Sequence, residues 1–217
     1  MIVNLMNRLL EIPGVYLLIQ WLMLPGARKL LAAQWRKAFA ESTGIVLDVG
    51  CGPEPSSPEP NGTLVGVDVN TDYLRQYAST VSTDPGLLLN PKSLPKRLAF
   101  KSSADKLPFC DSCADEARAM GLFHHLTDES TVACVSEMIR CVRPSGKIII
   151  FDNVWPRSSW RRPWAWLVRY MDRGRYVRTE SGLRSLLCRA SGIPWTYKRF
   201  TYTYTGLEGM LFVLRKP

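Results

Sequence analysis

At 217 residues the chain is long enough to form one α/β domain with a sizeable core. Hydrophobic residues make up 46% of the sequence and charged residues 22%, a globular composition that excludes an intrinsically disordered chain. The formal net charge of +9 favours anionic partners or substrates.

The first 40 residues are predicted to form two helices broken at Pro25-Gly26, because apolar residues recur near helical spacing on both sides. The longest apolar run, Val15–Leu24, is too short to span a bilayer, and no small-residue cleavage site follows it. The pattern predicts a helical extension or lid over residues 1–40, followed by a single domain over residues 41–217.

The cysteines indicate a reducing compartment. Six are scattered along the chain, and only Cys110 and Cys113 form a CxxC pair. With no second pair and only two histidines, a structural zinc site lacks ligands, so no metal is predicted. Ordinary reduced thiols fit a cytoplasmic location.

Residues 45–49 and 64–69 are the first two predicted strands. Gly50-Cys51-Gly52 follows the first strand, and Asp68 lies at the end of the second. An apolar strand, a glycine turn and a second strand ending in a carboxylate are typical of a nucleotide-binding site. The proline-rich loop after Gly52 leaves little room for the usual helix and carries two glutamates that would repel phosphate. It therefore argues against a dinucleotide.

The remaining elements follow a pattern of alternating strands and helices. Helices are predicted over residues 72–79, 127–142 and 180–190, and strands over residues 99–102, 115–120, 147–151, 196–203 and 210–215. Thr127 caps the second of these helices, residues 80–97 are a loop, and residues 143–146 are a turn. The strand at 115–120 is unusually polar, since it contains Glu116 and Arg118.

Five motifs occur in order along the chain. They are Val-Leu-Asp-Val-Gly-Cys-Gly at 46–52, Val-Gly-Val-Asp at 65–68, Ala-Asp-Lys-Leu-Pro-Phe at 104–109, Gly-Leu-Phe-His-His-Leu at 121–126 and Arg-Cys-Val-Arg-Pro-Ser-Gly-Lys at 140–147. Together they resemble class I S-adenosyl-L-methionine (SAM) methyltransferases of the ubiquinone/menaquinone-biosynthesis kind (methyltransferase type 11). The resemblance implies SAM as the cofactor. It also implies a Rossmann-like α/β fold, with a seven-stranded, mostly parallel sheet, an antiparallel final hairpin and helices on both faces.

The resemblance places the cofactor along the carboxyl ends of the strands. Asp68 is expected to accept hydrogen bonds from the ribose diol, and Asp105 from the adenine amine. Asp48 is expected to orient the glycine loop, and Gly121 to face the methionine moiety. The expected cofactor-binding residues are Asp48, Gly50, Cys51, Gly52, Asp68, Val69, Ala104, Asp105 and Gly121.

His124 and His125 follow the fourth strand, close to where the methyl group would be presented, and are the candidate catalytic residues. A histidine there could remove a proton from a hydroxyl or thiol acceptor, or it could be a structural residue that ties down the loop. Methyl transfer from a sulfonium neutralises positive charge, so alignment can supply most of the acceleration and a base is optional.

Residues 155–189 combine nine arginines with two acidic residues and four tryptophans. Such a segment suits an anionic lipid surface, an acidic substrate or nucleic acid; alternatively, it is a solvated helix whose tryptophans pack on the sheet.

The leading hypothesis is a SAM-dependent methyltransferase that acts on a small, amphipathic or lipophilic acceptor, in the cytoplasm or at an anionic membrane surface. One alternative is an RNA methyltransferase, which the charge favours, although the Asp/Asn-Pro-Pro-aromatic motif is absent after the fourth strand. Another is a non-catalytic SAM-binding or membrane-docked protein.

Overall fold

A seven-stranded sheet with helices on both faces makes up the described part of the chain. The computed structural model describes residues 14, 18, 24–77, 96–157, 160–170 and 174–217. The strands are β1 (Thr43–Val49), β2 (Asn61–Asp68), β3 (Arg97–Lys101), β4 (Ala114–Met120), β5 (Val142–Val154), β6 (Thr196–Thr201) and β7 (Glu208–Arg215). The helices are α1 (Ala27–Ala38), α2 (Thr71–Tyr77), α3 (Asp128–Cys141), α4 (Pro163–Tyr170) and α5 (Glu180–Ser191), with a 3-10 helix at Phe123–His125.

The strand order is β3-β2-β1-β4-β5-β7-β6. Strands β1 to β5 pair in parallel, and β7 is antiparallel to both β5 and β6. The predicted fold class is therefore confirmed, including the antiparallel final hairpin. The order reverses between β1 and β4, and in such sheets ligands bind in the crevice beyond the carboxyl ends of the strands at this reversal.

Helices cover both faces of the sheet, as β5 illustrates. Ile148 and Ile150 belong to a buried cluster that includes side chains of α3 and α5. Ile149 and Phe151 belong to a second cluster with side chains of α1 and α4. Because alternate residues of a strand point to opposite faces, a strand covered on both sides is apolar throughout. This is why the run at 147–151 predicts a central strand.

The proline-rich loop between β1 and β2 contains no helix, as predicted, and a buried arginine holds it against the sheet. Arg118 on β4 is fully buried and donates hydrogen bonds to Ser57 Oγ (2.9 Å) and to the carbonyl of Pro58 (2.6 Å). It pairs with Glu116 at 2.5 Å, and its guanidinium lies 4.2 Å from the ring centroid of Phe39. The two polar residues of β4 therefore attach the loop to the sheet.

Helix α1 packs into the body of the protein. The ring of Trp35 lies 5.2 Å from that of Phe151, edge to face, and its indole N–H donates to the carbonyl of Ser56 at 3.0 Å. The earlier of the two predicted N-terminal helices and most of the predicted loop at 80–97 lie outside the described residues. No helix among the described residues has the length and apolarity needed to cross a membrane.

The predicted turn at residues 143–146 is wrong, because β5 already begins at Val142. The pairing of β4 with β5 shifts register between Ala114 and Glu116, so a bulge absorbs the extra residues without ending the strand. Within this stretch Ser145 has a φ of 63°, in the left-handed region.

Candidate active site

The glycine loop after β1 is tied to the end of β2. The backbone N–H groups of Gly50 and Cys51 both donate to the carbonyl of Val67, at 2.8 and 3.1 Å. The φ angles of Gly50 and Gly52 are 69° and 63°, a conformation that favours glycine. Asp68 completes the connection, since its Oδ2 accepts from the N–H of Gly52 at 3.0 Å.

Asp68 has both carboxylate oxygens at the edge of the sheet. Oδ1 accepts from the N–H of Asn70 at 2.8 Å, while Oδ2 holds the glycine loop. The carboxylate is only partly buried, so it retains access to a ligand along this edge. The structure thus brings Asp68 together with Gly50 and Gly52.

Asp48 is buried beneath the loop. It is 1% exposed and accepts a hydrogen bond from the Tyr77 hydroxyl at 2.8 Å. Burial raises the pKa of Asp48 to about 6, while the Tyr77 hydrogen bond and the charge of Arg118 oppose this rise. Asp48 is therefore a buried carboxyl group directly before the glycine loop, held by the Tyr77 hydroxyl.

Cys51 offers the site its backbone only. Its side chain is 4% exposed and packs in a buried cluster with Val46 and Leu74. Burial raises the pKa of its thiol well above the usual value. The thiol is therefore an inert core group.

The predicted adenine end lies at the carboxyl ends of β2 and β3. Val69 is 64% exposed, and Asp105 is also exposed, whereas Ala104 is partly buried against the core. The N–H of Ser102 donates to the carbonyl of Asp68 at 3.1 Å, which joins the loop after β3 to the end of β2. An exposed apolar side chain and an exposed acidic side chain thus lie beside Asp68, the residue expected to bind the ribose.

The loop after β4 meets the glycine loop. Gly121 has a φ of 75°, and its N–H donates to the carbonyl of Phe151 at 2.7 Å. The next residue, Leu122, lies so close to Gly50 that a Cβ there would be 2.6 Å from its Cδ1. The glycine loop and the segment predicted to face the methionine moiety are therefore neighbours.

His124 is enclosed, whereas His125 is exposed. The Nδ1 of His124 lies 2.5 Å from Oδ1 of Asp152, and the side chain is 7% exposed. Nε2 of the same ring lies 3.4 Å from the side-chain amide nitrogen of Asn153. Gly174 closes another side of the ring, because a Cβ there would lie 2.2 Å from its Cδ2. The ring of His125 is tilted by 42° from that of His124, with ring centroids 4.1 Å apart.

A chain of buried hydrogen bonds extends from His124 to α4. The Tyr202 hydroxyl donates to Oδ1 of Asn153 at 2.8 Å and accepts from Nη2 of Arg169 at 2.5 Å. Arg169 is 3% exposed, and Asp152 at the other end of the chain is 1% exposed. A buried cation and a buried anion, Arg169 and Asp152, are thus joined through the side chains of Tyr202, Asn153 and His124.

The sequence analysis missed four residues of this chain: Asp152, Asn153, Tyr202 and Arg169. The polar pair that follows the apolar run of β5 was a usable signal, because carboxyl ends of parallel strands carry ligand sites. Tyr202 and Arg169 come from distant segments and have no local signature.

Three arginines of the arginine-rich segment pair with carboxylates of the protein. Arg157 pairs with Glu180 at 2.8 Å, and Arg162 with Glu208 at 3.3 Å. Arg178 pairs with an aspartate on α3 and donates to two carbonyls of the loop after β4. A uniform ligand-binding patch of nine arginines is therefore not what the described residues show.

The tryptophans of α4 do not pack on the sheet. Trp164 and Trp166 are 56% and 41% exposed, whereas Ala165 and Val168 are buried against the core. The interpretation in which the tryptophan face covers the sheet is therefore wrong for this helix.

Comparisons with known proteins bear on the whole arrangement. Residues 47–150 match the family model described as a methyltransferase domain. No curated protein matches the sequence.

Several solved structures share the fold. A SAM-dependent methyltransferase from Methanosarcina mazei is 19% identical, with a TM-score of 0.60 over 83% of this chain and 95% of that one. Phosphoethanolamine N-methyltransferase 2 of Haemonchus contortus, solved with phosphomonomethylethanolamine and S-adenosylhomocysteine, is 15% identical, with a TM-score of 0.58 over 88% and 53%. A geranyl diphosphate methyltransferase solved with GPP and sinefungin is 12% identical, with a TM-score of 0.58 over 86% and 78%.

Proposed function

Starting from a methyltransferase domain at residues 47–150 whose cofactor is SAM, we propose that this enzyme methylates a small, amphipathic or lipophilic acceptor. One observation carries the proposal. The glycine loop, Asp68 and the loop after β4 meet at the carboxyl edge of the sheet, beside the strand-order reversal.

The residues at this edge suit a cationic cofactor without phosphate. In this proposal Asp68 accepts from the ribose diol, the exposed Val69 side chain lies against the adenine, and Asp105 accepts from its amine. The backbone of the glycine loop and of Gly121 lines the methionine end in this proposal. Acidic side chains along the edge favour a sulfonium and an ammonium group and disfavour a dinucleotide.

The remaining residues of the proposed cofactor site contribute backbone atoms or support the glycine loop from its buried side. Gly50, Cys51 and Gly52 form the loop, Asp48 supports it, and Ala104 packs beside the adenine end. We further propose that residues 1–40 are an extension to a methyltransferase domain at 41–217, and that the protein is cytoplasmic.

The acceptor side lies beyond β4 and β5. In this proposal the acceptor lies next to the segment after β5, whose arginine and aromatic residues suit an amphipathic acceptor with an anionic or polar end. Two proteins that share the fold were solved with phosphomonomethylethanolamine and with GPP, and both of these ligands are small and phosphorylated. This likeness supports the acceptor class without identifying the compound.

Of the two candidate catalytic histidines, we assign His124 chiefly to holding the loop after β4. Its ring is enclosed by Asp152, Asn153 and Gly174, which supports a positioning role. His125 is exposed and is the histidine with room to take a proton from a hydroxyl or thiol acceptor. SAM supplies an activated methyl group, and the residues around it align the acceptor and exclude water.

The decisive experiment transfers labelled methyl groups from SAM to extract fractions, organic against aqueous, and identifies the labelled compound. Label in a small organic-soluble compound supports the proposal. Label in RNA would establish the RNA methyltransferase instead. SAM binding without label in any fraction would indicate a non-catalytic protein.

Calorimetry tests the cofactor placement separately. Removal of a charge-assisted pair with the ribose should weaken SAM binding by about 10- to 100-fold in Asp68→Ala. Asp72→Ala is the matched control, because Asp72 is an exposed acid on α2 that pairs only with Arg75 in the described part of the chain. Unchanged SAM affinity in Asp68→Ala would refute the placement.

A further inference from the structure

The solvent-facing side of α4 is apolar. Ala165 and Val168 turn towards the core, and the opposite side of the helix carries large exposed side chains. These are Trp164 (56% exposed), Trp166 (41%), Leu167 (45%) and Tyr170 (73%). A surface helix normally places polar residues on the side that faces water, so this arrangement indicates a face that contacts something other than water.

Two of the exposed rings are in contact with each other, and one of them also contacts Trp155. Trp166 stacks on Tyr170, with ring centroids 6.2 Å apart and planes 9° apart, and the ring of Trp155 lies 5.2 Å from that of Trp166. An apolar groove of about 340 Å³ runs between Pro163, Trp166, Leu167 and Tyr170. We call Trp160, Trp164, Trp166, Leu167 and Tyr170 the α4 aromatic surface.

The charge beside this surface is positive. Trp160 is 76% exposed, and the guanidinium of Arg161 lies 4.8 Å from its ring centroid. Residues 160–170 contain three arginines and no acidic residue. Arg162 is engaged by Glu208 and Arg169 is buried, so Arg161 is the cation that this stretch presents to solvent.

We propose that the α4 aromatic surface docks the protein on an anionic lipid bilayer, with its rings at headgroup level and Arg161 on lipid phosphate. Tryptophan and tyrosine favour this depth, because one end of each ring system is apolar and the other polar. Arginine beside them is attracted to anionic headgroups. The N-terminal sequence favours lipid over a protein partner, since its first 24 residues contain only two charged residues, Arg8 and Glu11.

The surface also adjoins the candidate active site. Arg169, on the buried side of α4, begins the hydrogen-bond chain that ends at His124 and Asp152. A lipophilic acceptor leaving the bilayer at α4 would therefore be one helix away from the loop after β4. This delivery route rests on the proposed function, whereas docking itself does not.

The test is co-sedimentation of the full-length protein with vesicles of phosphatidylcholine alone or mixed with phosphatidylglycerol. We expect binding to the mixed vesicles to weaken roughly tenfold or more in the double variant Trp164→Ser/Leu167→Ser, which removes apolar area. Arg161→Gln should weaken it about fivefold. Tyr197→Ser is the matched control: Tyr197 is 39% exposed but lies on β6, away from the surface, and its variant should bind like the parent.

Calorimetric SAM affinity equal to that of the parent shows that each variant is folded. Equal vesicle binding by the double variant and the parent would overturn the proposal, as would binding that does not depend on phosphatidylglycerol. Self-association that the double variant abolishes, without any vesicle binding, would also overturn it in favour of a second copy of the chain. If vesicle binding requires the α4 aromatic surface but the methyl-transfer assay yields no labelled product, the proposed function is refuted and the docking proposal is not.

Discussion

Replacement of Asp48 by asparagine should stabilise the cofactor-free protein in a pH-dependent way. Burial raises the pKa of this carboxyl from its ordinary 3.8 to about 6. The folded protein therefore holds the proton more tightly than the unfolded chain does. As the pH rises from about 4 to about 6, the unfolded chain releases this proton first, and the parent protein loses stability across that window.

The size of the effect follows from the two pKa values. Their difference of about 2 units corresponds to about 3 kcal/mol of unfolding free energy, at about 1.4 kcal/mol per unit. Asparagine cannot ionise, but its amide oxygen can still accept the Tyr77 hydrogen bond. The difference in unfolding free energy between Asp48→Asn and the parent should therefore change by about 3 kcal/mol in favour of the variant as the pH rises from about 4 to about 7.

Urea unfolding of both proteins at a series of pH values measures this gain directly, because the packing change of the substitution is the same at every pH. Tyr77→Phe is the informative second variant. It removes a hydrogen bond that lowers the pKa of Asp48, so the decline in stability should extend to higher pH. A difference between Asp48→Asn and the parent that does not change with pH would refute the reasoning.

Two further predictions concern packing and a buried ion pair. In Gly174→Ala the new Cβ would lie 2.2 Å from Cδ2 of His124 and 2.9 Å from its carbonyl oxygen, so unfolding free energy should fall by about 1–3 kcal/mol and methyl transfer should decrease. Glu208→Gln removes the nearer of two carboxylates that contact the buried Arg199, at 2.7 Å, while Glu180 remains at 3.2 Å, so the unfolding free energy should fall by about 2 kcal/mol near pH 7. Burial raises the pKa of Glu208, but its arginine partners outweigh this and hold the pKa below 4.5, so the loss should shrink as the pH falls below about 4.

Each of these predictions has a matched control in the same chain. Gly182→Ala lies in α5, where the nearest atom to the new Cβ would be 3.3 Å away, and it should be neutral or stabilising. Asp72→Asn breaks an exposed pair with Arg75 and should change unfolding free energy by less than about 1 kcal/mol. Equal losses in Gly174→Ala and Gly182→Ala, or in Glu208→Gln and Asp72→Asn, would contradict the structural interpretation.

The fold was largely predictable from the sequence, because its signals are local. The apolar run before Gly50 and the run at 147–151 predict strands, and Thr127 caps its helix by accepting from the N–H of Ser130. The partners of His124 were not predictable in this way. Asp152 lies 28 positions further along the chain, and the Tyr202 hydroxyl reaches Asn153 across 49 positions.

The ion pairs and the burial of side chains in the arginine-rich segment could not be predicted from the local sequence either. Composition counts the arginines but does not reveal that Arg178 pairs with Asp128, 50 positions earlier. On α4 the alternative in which the tryptophans pack on the sheet is wrong, because Ala165 is buried and Trp166 is 41% exposed. Ion pairing and burial of this kind depend on the space that the rest of the tertiary structure leaves for each side chain.

The anchoring of the proline-rich loop limits how this protein can be cut or recombined. Trp35 and Phe39 from the N-terminal region contact the loop and its arginine, so a fragment trimmed to the family-matched segment would lack these side chains. The proline-rich loop would then lose the Trp35 hydrogen bond, and Arg118 would lose the Phe39 ring that lies 4.2 Å away. Moving the β1–β2 unit onto another scaffold would therefore require helix α1 and the residues after it to be moved together with the loop.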